Sequence, residues 1–405
     1  MENIKDVTKN WTKRKLPTKR NHLNFHPDFS QTSHDFLKYI LLTCQFIGLF
    51  PMHNICGKDP AKIKFSWLSW KIVYTIIISA SSIFCSYSGY YRAFTFHPVI
   101  THLLFPVVFT QVAVATLISI NVSKNWQKCI TSITYLELEI NKKYGEPKNV
   151  RKYLMFLIFI IYAIGSIEHL FELISNALQF GSSGFINCIR ERCNYFYHEC
   201  NTCWSAVFLV FCTISWAVCI AIDVFIINLG VLFASRFKQI ADSFESYNDA
   251  LQIEETSHIY RLDNILKYYK QIREDYIKLT SAVYQVDCLC GNLIICSYIS
   301  NITSILIQLF NSLRHFNSLL HTIHFLYSFG FIIMRLVLVT IYASSVNEES
   351  KKIASIVLKV PDDIWSQDLQ RIISHIYYDS TALTGGQFFK ITRSLTLNVD
   401  SCFHY

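Results

Sequence analysis

Glu168, His169 and Glu172 stand together in the run Ile167-Glu-His-Leu-Phe-Glu172, near one end of a long apolar stretch. Four residues apart on a helix, the two carboxylates share one face, with the imidazole beside it. Carboxylates accept hydrogen bonds from hydroxyls, and aromatic rings cover apolar C–H faces. With Tyr87, Tyr90, Trp204 and Tyr327 the trio makes a candidate wall for a polyhydroxylated ligand. The alternative is that these groups sit at the level of the lipid headgroups and are simply solvated, and the spacing leaves both open. Gln308, Asn311, His321 and His324 fall at the same level of their own stretches and can converge on that wall, although each taken singly is more often structural.

Asp223 and Arg335 lie deeper, inside apolar stretches, where an uncompensated charge is costly. A buried ion pair or a water-filled path accounts for both, as does packing against other partners. Cys188, Cys193, Cys200 and Cys203 cluster in one loop. Four cysteines allow three pairings, and at least one disulfide is expected. A zinc site with His198 is the sharper alternative, but the spacing C-x4-C-x6-C-x2-C is not a usual finger pattern, so no metal is expected. No HExxH, GxSxG or phosphate-binding glycine loop is present, and 12 glycines leave little from which to build one, so neither an enzyme nor a cofactor is expected.

The elements that carry these residues are long apolar blocks. Of 405 residues, 52% are hydrophobic and only 16% charged, against roughly a quarter charged in a soluble domain. A helix crosses the hydrocarbon core with about 20 mostly apolar residues. Six blocks qualify: Ile72–Tyr91, Val99–Ile120, Tyr153–Ser175, Ala206–Phe233, Val286–Leu309 and Ile323–Val346. A weaker seventh begins at Phe388. Phe36–Phe50 stops at Pro51, is too short to span, and reads as an interfacial or re-entrant helix. The alternation of charged and apolar residues in RLDNILKYYKQIREDYIKL indicates that the helices flanking Ser235–Thr280 continue beyond the membrane.

Sidedness follows from the basic residues. The segment up to Asp35, and the loops between spans two and three and between four and five, carry seven Lys and Arg each, and the loop between six and seven carries four. The alternate loops hold only Arg92, the pair Arg190 and Arg192, and Arg314. The expectation is an all-α polytopic membrane protein of seven helices with its amino terminus in the cytoplasm. It divides into a tail at 1–35, an interfacial helix at 36–51 and a membrane domain at 52–405. The tail shows no apolar run leading to a cleavage site, so the first membrane helix is expected to act as its own insertion signal. The net charge of +8 is sorted by loop and points to a bilayer rather than nucleic acid as partner. Paired Gly/Pro-broken helices, the mark of many transporters, are missing.

Several stretches resemble insect gustatory receptors. These are VNEESKKIASIVLKVPDDIWSQDLQRIISHIYYDSTALTGGQFFKITRSLTL, GLFPMHNICGKDPAKIKFSWLSWKIVY, the IEH of the third span and LFASRFKQI, spread over most of the chain. The ALTGGQFFKITR core is most similar to the sugar-receptor group, and odorant receptors are the nearest confusable family. The resemblance implies a tetrameric, homomeric or heteromeric, sugar-gated cation channel in the plasma membrane of taste neurons. Each subunit would bind sugar in its outer half, through Glu168, His169, Glu172, Trp204, Gln308, His324 and Tyr327. The seventh helix would line a central pore, with Gln387, Phe388, Phe389, Thr392 and Arg393 as its pore or gating candidates. Lys390 and Arg393 would lie at the cytoplasmic mouth, or merely anchor the helix there.

The chain departs from that family at one end. Relatives continue the seventh helix with a Thr-Tyr pair and later Gln-Phe, whereas here Val399 is followed by Asp-Ser-Cys-Phe-His-Tyr405. At about 1.5 Å per residue the run from Phe388 barely crosses. Lys390, Arg393 and Asp400 each cost about 2.5–3.5 kcal/mol at mid-membrane. The expectation is therefore a truncated seventh helix, from a last exon missing in this gene model or splice form, with a non-functional or dominant-negative subunit as the alternative if the short end is real.

Overall fold

The computed structural model describes residues 29, 31–95, 103–147, 149–178, 184–197, 200–253, 258–313 and 319–394. They form helices α1 (Ser33–Phe46), α2 (Trp70–Thr95), α3 (Leu104–Tyr144), α4 (Val150–Leu178), α5 (Gly184–Phe196), α6 (Thr202–Ile253), α7 (His258–Ser312), α8 (Leu319–Val357) and α9 (Gln367–Tyr378). A two-stranded antiparallel hairpin follows, β1 (Thr384–Gly385) and β2 (Phe389–Lys390), with Thr384 opposite Lys390. Six helices, α2, α3, α4, α6, α7 and α8, are long and apolar enough to cross a membrane. Each contains one of the blocks read from the sequence, although the expected start of the second at Val99 lies outside the described residues.

α6 is the axis of the bundle. Of its apolar window 89% is buried, which explains why it is hydrophobic on all sides rather than striped. Close approach to α8 depends on Gly230, where a Cβ would run into the Tyr342 carbonyl, and to α4 on Gly165, which faces Ile220 and Trp216. Small residues at such crossings are what lets helices in lipid gain packing energy, because lipid tails offer no hydrophobic drive between them. α6 and α7 are 52 and 55 residues long, more than twice what a crossing needs, so both project past the membrane as a packed pair. Their extension continues the core of the bundle, with Phe237, Phe244, Tyr269 and Tyr276 buried.

α1 buries Phe36, Leu37, Ile40, Leu41 and Cys44 along one face against this bundle. Its start is clamped. Arg236, fully buried on α6, donates from Nε to Glu137 Oε1 at 2.9 Å, from Nη1 to Asn141 Oδ1 at 2.8 Å and from Nη2 to the Gln31 carbonyl at 2.7 Å. Glu137 in turn accepts from the backbone N–H and the hydroxyl of Ser33, both at 2.6 Å. Every partner matters here, because a buried charge is tolerated only when its lone pairs and protons are met.

The expected seventh helix does not begin at Phe388. Gly386 and Gln387 adopt positive φ, +56° and +65°, and turn the chain back on itself, so Phe388 is in the turn and Phe389 in a strand. Asp287 on α7 fixes the hairpin by accepting from the Thr384 N–H and hydroxyl, both at 2.6 Å. Gly386 N–H donates to the Gly291 carbonyl at 3.0 Å, an approach that a side chain at Gly291 would crowd, since a Cβ there would lie 3.2 Å from the Gly386 nitrogen. Helix resumes at Arg393 and Ser394, and the rest of the expected seventh span lies outside the described residues, as does the tail through residue 28.

Candidate functional site

α3, α4, α6, α7 and α8, with Arg192 of α5, line a cavity of about 360 Å³. Helix periodicity explains which residues reach it. On α8, His324, Ser328, Phe331 and Arg335 recur at three- and four-residue steps and line one face. Tyr327, one residue before Ser328, is turned about 100° away. Its hydroxyl donates to the Ile164 carbonyl at 3.0 Å and its ring stacks on Phe171, so it buttresses α4 instead of facing the cavity.

Glu168 is the centre of the polar wall. It accepts from Ser328 Oγ at 2.8 Å and from Trp216 Nε1 at 3.1 Å, and His324 Nε2 stands 4.0 Å away. Gln308 Nε2 donates to Ser328 Oγ at 3.2 Å, which ties α7 into the same network. One turn along α4, Glu172 accepts from Arg192 Nη2 of α5 at 2.9 Å, and His169 Nδ1 lies 3.3 Å from its other oxygen. His169 Nε2 is 3.1 Å from Thr213 Oγ1, and its ring stacks on Trp216 at 5.0 Å between centroids. The result is a wall rich in acceptors with one large aromatic face, which suits a ligand that offers several hydroxyl donors and an apolar ring face.

Beneath this wall lies the second buried charge. Arg335 donates to Asp223 Oδ2 from Nε at 2.8 Å and Nη2 at 2.6 Å, and to the Cys219 carbonyl at 3.2 Å. Ser297 and Asn301 complete the shell around Asp223. Of the alternatives open in the sequence, the structure adopts the ion pair, and Arg335 also forms part of the cavity lining.

Glu168, His169, Glu172, Gln308, Asn311 and His324 therefore come together around one cavity. Trp204 does not: it is 65% exposed in the first turn of α6, where its N–H donates to Asn201 Oδ1. Tyr87 faces outward, and the His321 side chain lies outside those described. Arg192, Trp216, Ser328 and Gln111 line the cavity without having been singled out. Gln111 carried a signal, as a lone amide in an apolar run. Trp216 carried none that distinguishes it from an ordinary lipid-facing tryptophan.

Away from the cavity, Cys193 and Cys200 are joined in a disulfide, while Cys188 and Cys203 are free. His198 lies outside the described residues, among which no cluster of His, Cys, Asp or Glu is arranged for a metal. The pore-helix candidates are placed on and beside the hairpin. Gln387 Nε2 reaches Cys288 Sγ at 3.5 Å, Phe388 is 83% exposed, and Phe389 packs edge-on to Tyr298. Thr392 pairs with Ser394, and Arg393 Nε is 3.5 Å from Glu348.

The profile of the trehalose receptor family matches residues 6–403. The chain belongs to that family. Among its relatives from Drosophila melanogaster, gustatory receptor for sugar taste 64b is 26% identical over 394 residues, covering 91% of each chain. Gustatory receptor for sugar taste 64f is 22% identical over 386 residues, covering 90% of this chain and 77% of that one. Among solved structures, the insect olfactory receptor OR5 from Machilis hrabei in complex with eugenol superposes with a TM-score of 0.66 at 13% identity, covering 93% of this chain and 97% of that one. At that identity the likeness is one of fold. This trehalose receptor family member is thus a multi-pass gustatory receptor with the insect chemoreceptor fold, in a family of receptors and not of enzymes.

Proposed function

We propose that the chain is a subunit of a sugar-gated, non-selective cation channel of the plasma membrane, assembled as a homo- or heterotetramer. The observation that carries this reading is the acceptor-rich wall of Glu168, Glu172 and Gln308 beside the Trp216 face, inside one cavity of the bundle. A volatile apolar ligand of the kind that an odorant receptor takes would leave Gln308 Oε1, which is buried without a partner, unmet at a cost of about 1–3 kcal/mol. The sugar-taste relatives support the same ligand class.

The biased basic loops support a cytoplasmic amino terminus, with 1–35 as an inner tail, 36–51 as an interfacial helix and 52–405 as the channel domain. On that sidedness the cavity opens toward the outer half and the hairpin lies inside. Sugar can open the pore only by binding the open state more tightly than the closed one, so the walls of the cavity must differ between the two. The test is sugar-evoked current in a heterologous cell expressing the chain alone and with a second family member. Absence of any sugar response, with the subunits present at the surface, would falsify the reading.

A further inference from the structure

Among the described residues, three amides lining the cavity carry a buried atom without a partner, Asn311 Oδ1, Gln111 Nε2 and Gln308 Oε1, and the last two belong to amides whose other end is bonded. Gln111 of α3 and Gln308 of α7 both line it and are both 5% exposed. Gln111 Oε1 accepts from the Ser300 hydroxyl, while its Nε2 is buried without a partner. Gln308 Nε2 donates to Ser328, while its Oε1 is buried without a partner. Rotating either amide by 180° would not help, because each has a single hydroxyl partner and one end stays unmet either way. A buried polar atom left unpaired is destabilising, and its persistence inside a cavity marks where a ligand atom completes it.

The two amides stand at different depths. Ser300, which marks the Gln111 level, and Gln308 are eight residues apart on α7, a rise of about 12 Å. On α8, Ser328 of the upper wall and Arg335 of the floor are seven apart, or about 10 Å. A single pyranose is shorter than either span, whereas two linked rings, or one ring bearing an extended polyol arm, match it. The floor also has the opposite hydrogen-bonding character. Around Glu168 and Gln308 the free capacity is for accepting, whereas Gln111 Nε2 offers a donor in the cavity that the Arg335 guanidinium, already engaged by Asp223, also lines.

We propose that Gln111 forms a second, deeper subsite that takes an oxygen acceptor from the far end of the ligand, so that it sets selectivity for ligand length while Gln308 and Glu168 hold the near ring. This rests on the sugar reading above and deepens it.

The test measures apparent affinities of the purified full chain for glucose, sucrose and trehalose from the sugar-induced rise in melting temperature. Wild type is expected to bind a two-ring sugar more tightly than glucose. Gln111→Leu is expected to weaken two-ring sugars about 10-fold, the loss of one neutral hydrogen bond, while leaving glucose unchanged. Gln308→Leu is expected to weaken both classes. Retained glucose binding shows that the variant is folded, and if Gln111→Leu does not fold, Gln111→Asn, which keeps the amide but shortens its reach, must give the same selective loss. Equal loss for both sugar classes, or none for either, overturns the subsite while leaving the sugar reading intact. Failure of wild type to bind any of the three sugars sinks both.

Discussion

At the scale of the residue, a handful of polar groups in an apolar bundle must each be accounted for. Glu168 accepts two hydrogen bonds and has capacity left for ligand hydroxyls. A hydrogen bond to a charged group contributes about 1.5–3 kcal/mol, so Glu168→Gln should raise the half-maximal sugar concentration about 10- to 100-fold in current recordings. Trp204→Ala should leave it unchanged, since that side chain faces outward. The Asp223–Arg335 pair gives a stability prediction of different form. Removing one partner strands a buried charge at a cost of about 3–5 kcal/mol, so Arg335→Leu should abolish a monodisperse size-exclusion peak, and Asp223→Leu in addition should restore much of it. Glu168, His169 and Glu172 were legible in the sequence because three ionisable groups in one apolar helix have few uses. The sequence does not place Trp204 and Tyr327 relative to the cavity, because an aromatic near a helix end points anywhere until the helix phase is known, and the phase of α8 turns Tyr327 toward Ile164.

At the scale of the element, hydropathy decided most of the outcome. Six spans were readable because backbone groups in lipid must pair within their own helix, which forces apolar runs of fixed length. The hairpin at Thr384–Lys390 was not readable as such, because Phe388-Phe389 extends an apolar run that imitates a helix start, and the turn is set by Gly386 and by the distant Asp287. Gly291→Leu should push the hairpin off α7, and a cysteine-accessibility assay at Phe388→Cys should report the altered environment. At the start of α1, His34 is buried with its Nε2–H donating to the Gly57 carbonyl at 2.8 Å, and burial holds the imidazole below its usual range. The neutral ring therefore favours the fold above about pH 6.5, and that contribution is lost as pH falls below it. Thermal melts should show a drop between about pH 7 and pH 5 that is smaller in His34→Gln.

At the scale of the whole molecule, orientation decides which side of the membrane the cavity faces. The excess of Lys and Arg in alternate loops predicts that an epitope placed before Asp35 is labelled only after the membrane is permeabilised. Labelling on intact cells would turn the cavity toward the cytoplasm and overturn the proposed role in sensing sugar outside the cell. How the helices pack around one another was not legible, since α6 is apolar on every side and its sequence favours no neighbour. The packing is instead decided by a few glycines and by charges that find each other across helices.

The clamp on Arg236 has a bearing on how much of the chain the fold requires. A polypeptide begun or cut beyond Ser33 would keep every apolar span and would insert normally. It would nevertheless present an arginine and a glutamate shorn of the Gln31 and Ser33 atoms that satisfy them. Such a product should therefore melt at a lower temperature than the whole chain, because the cost of two poorly met buried charges falls on the folded state alone.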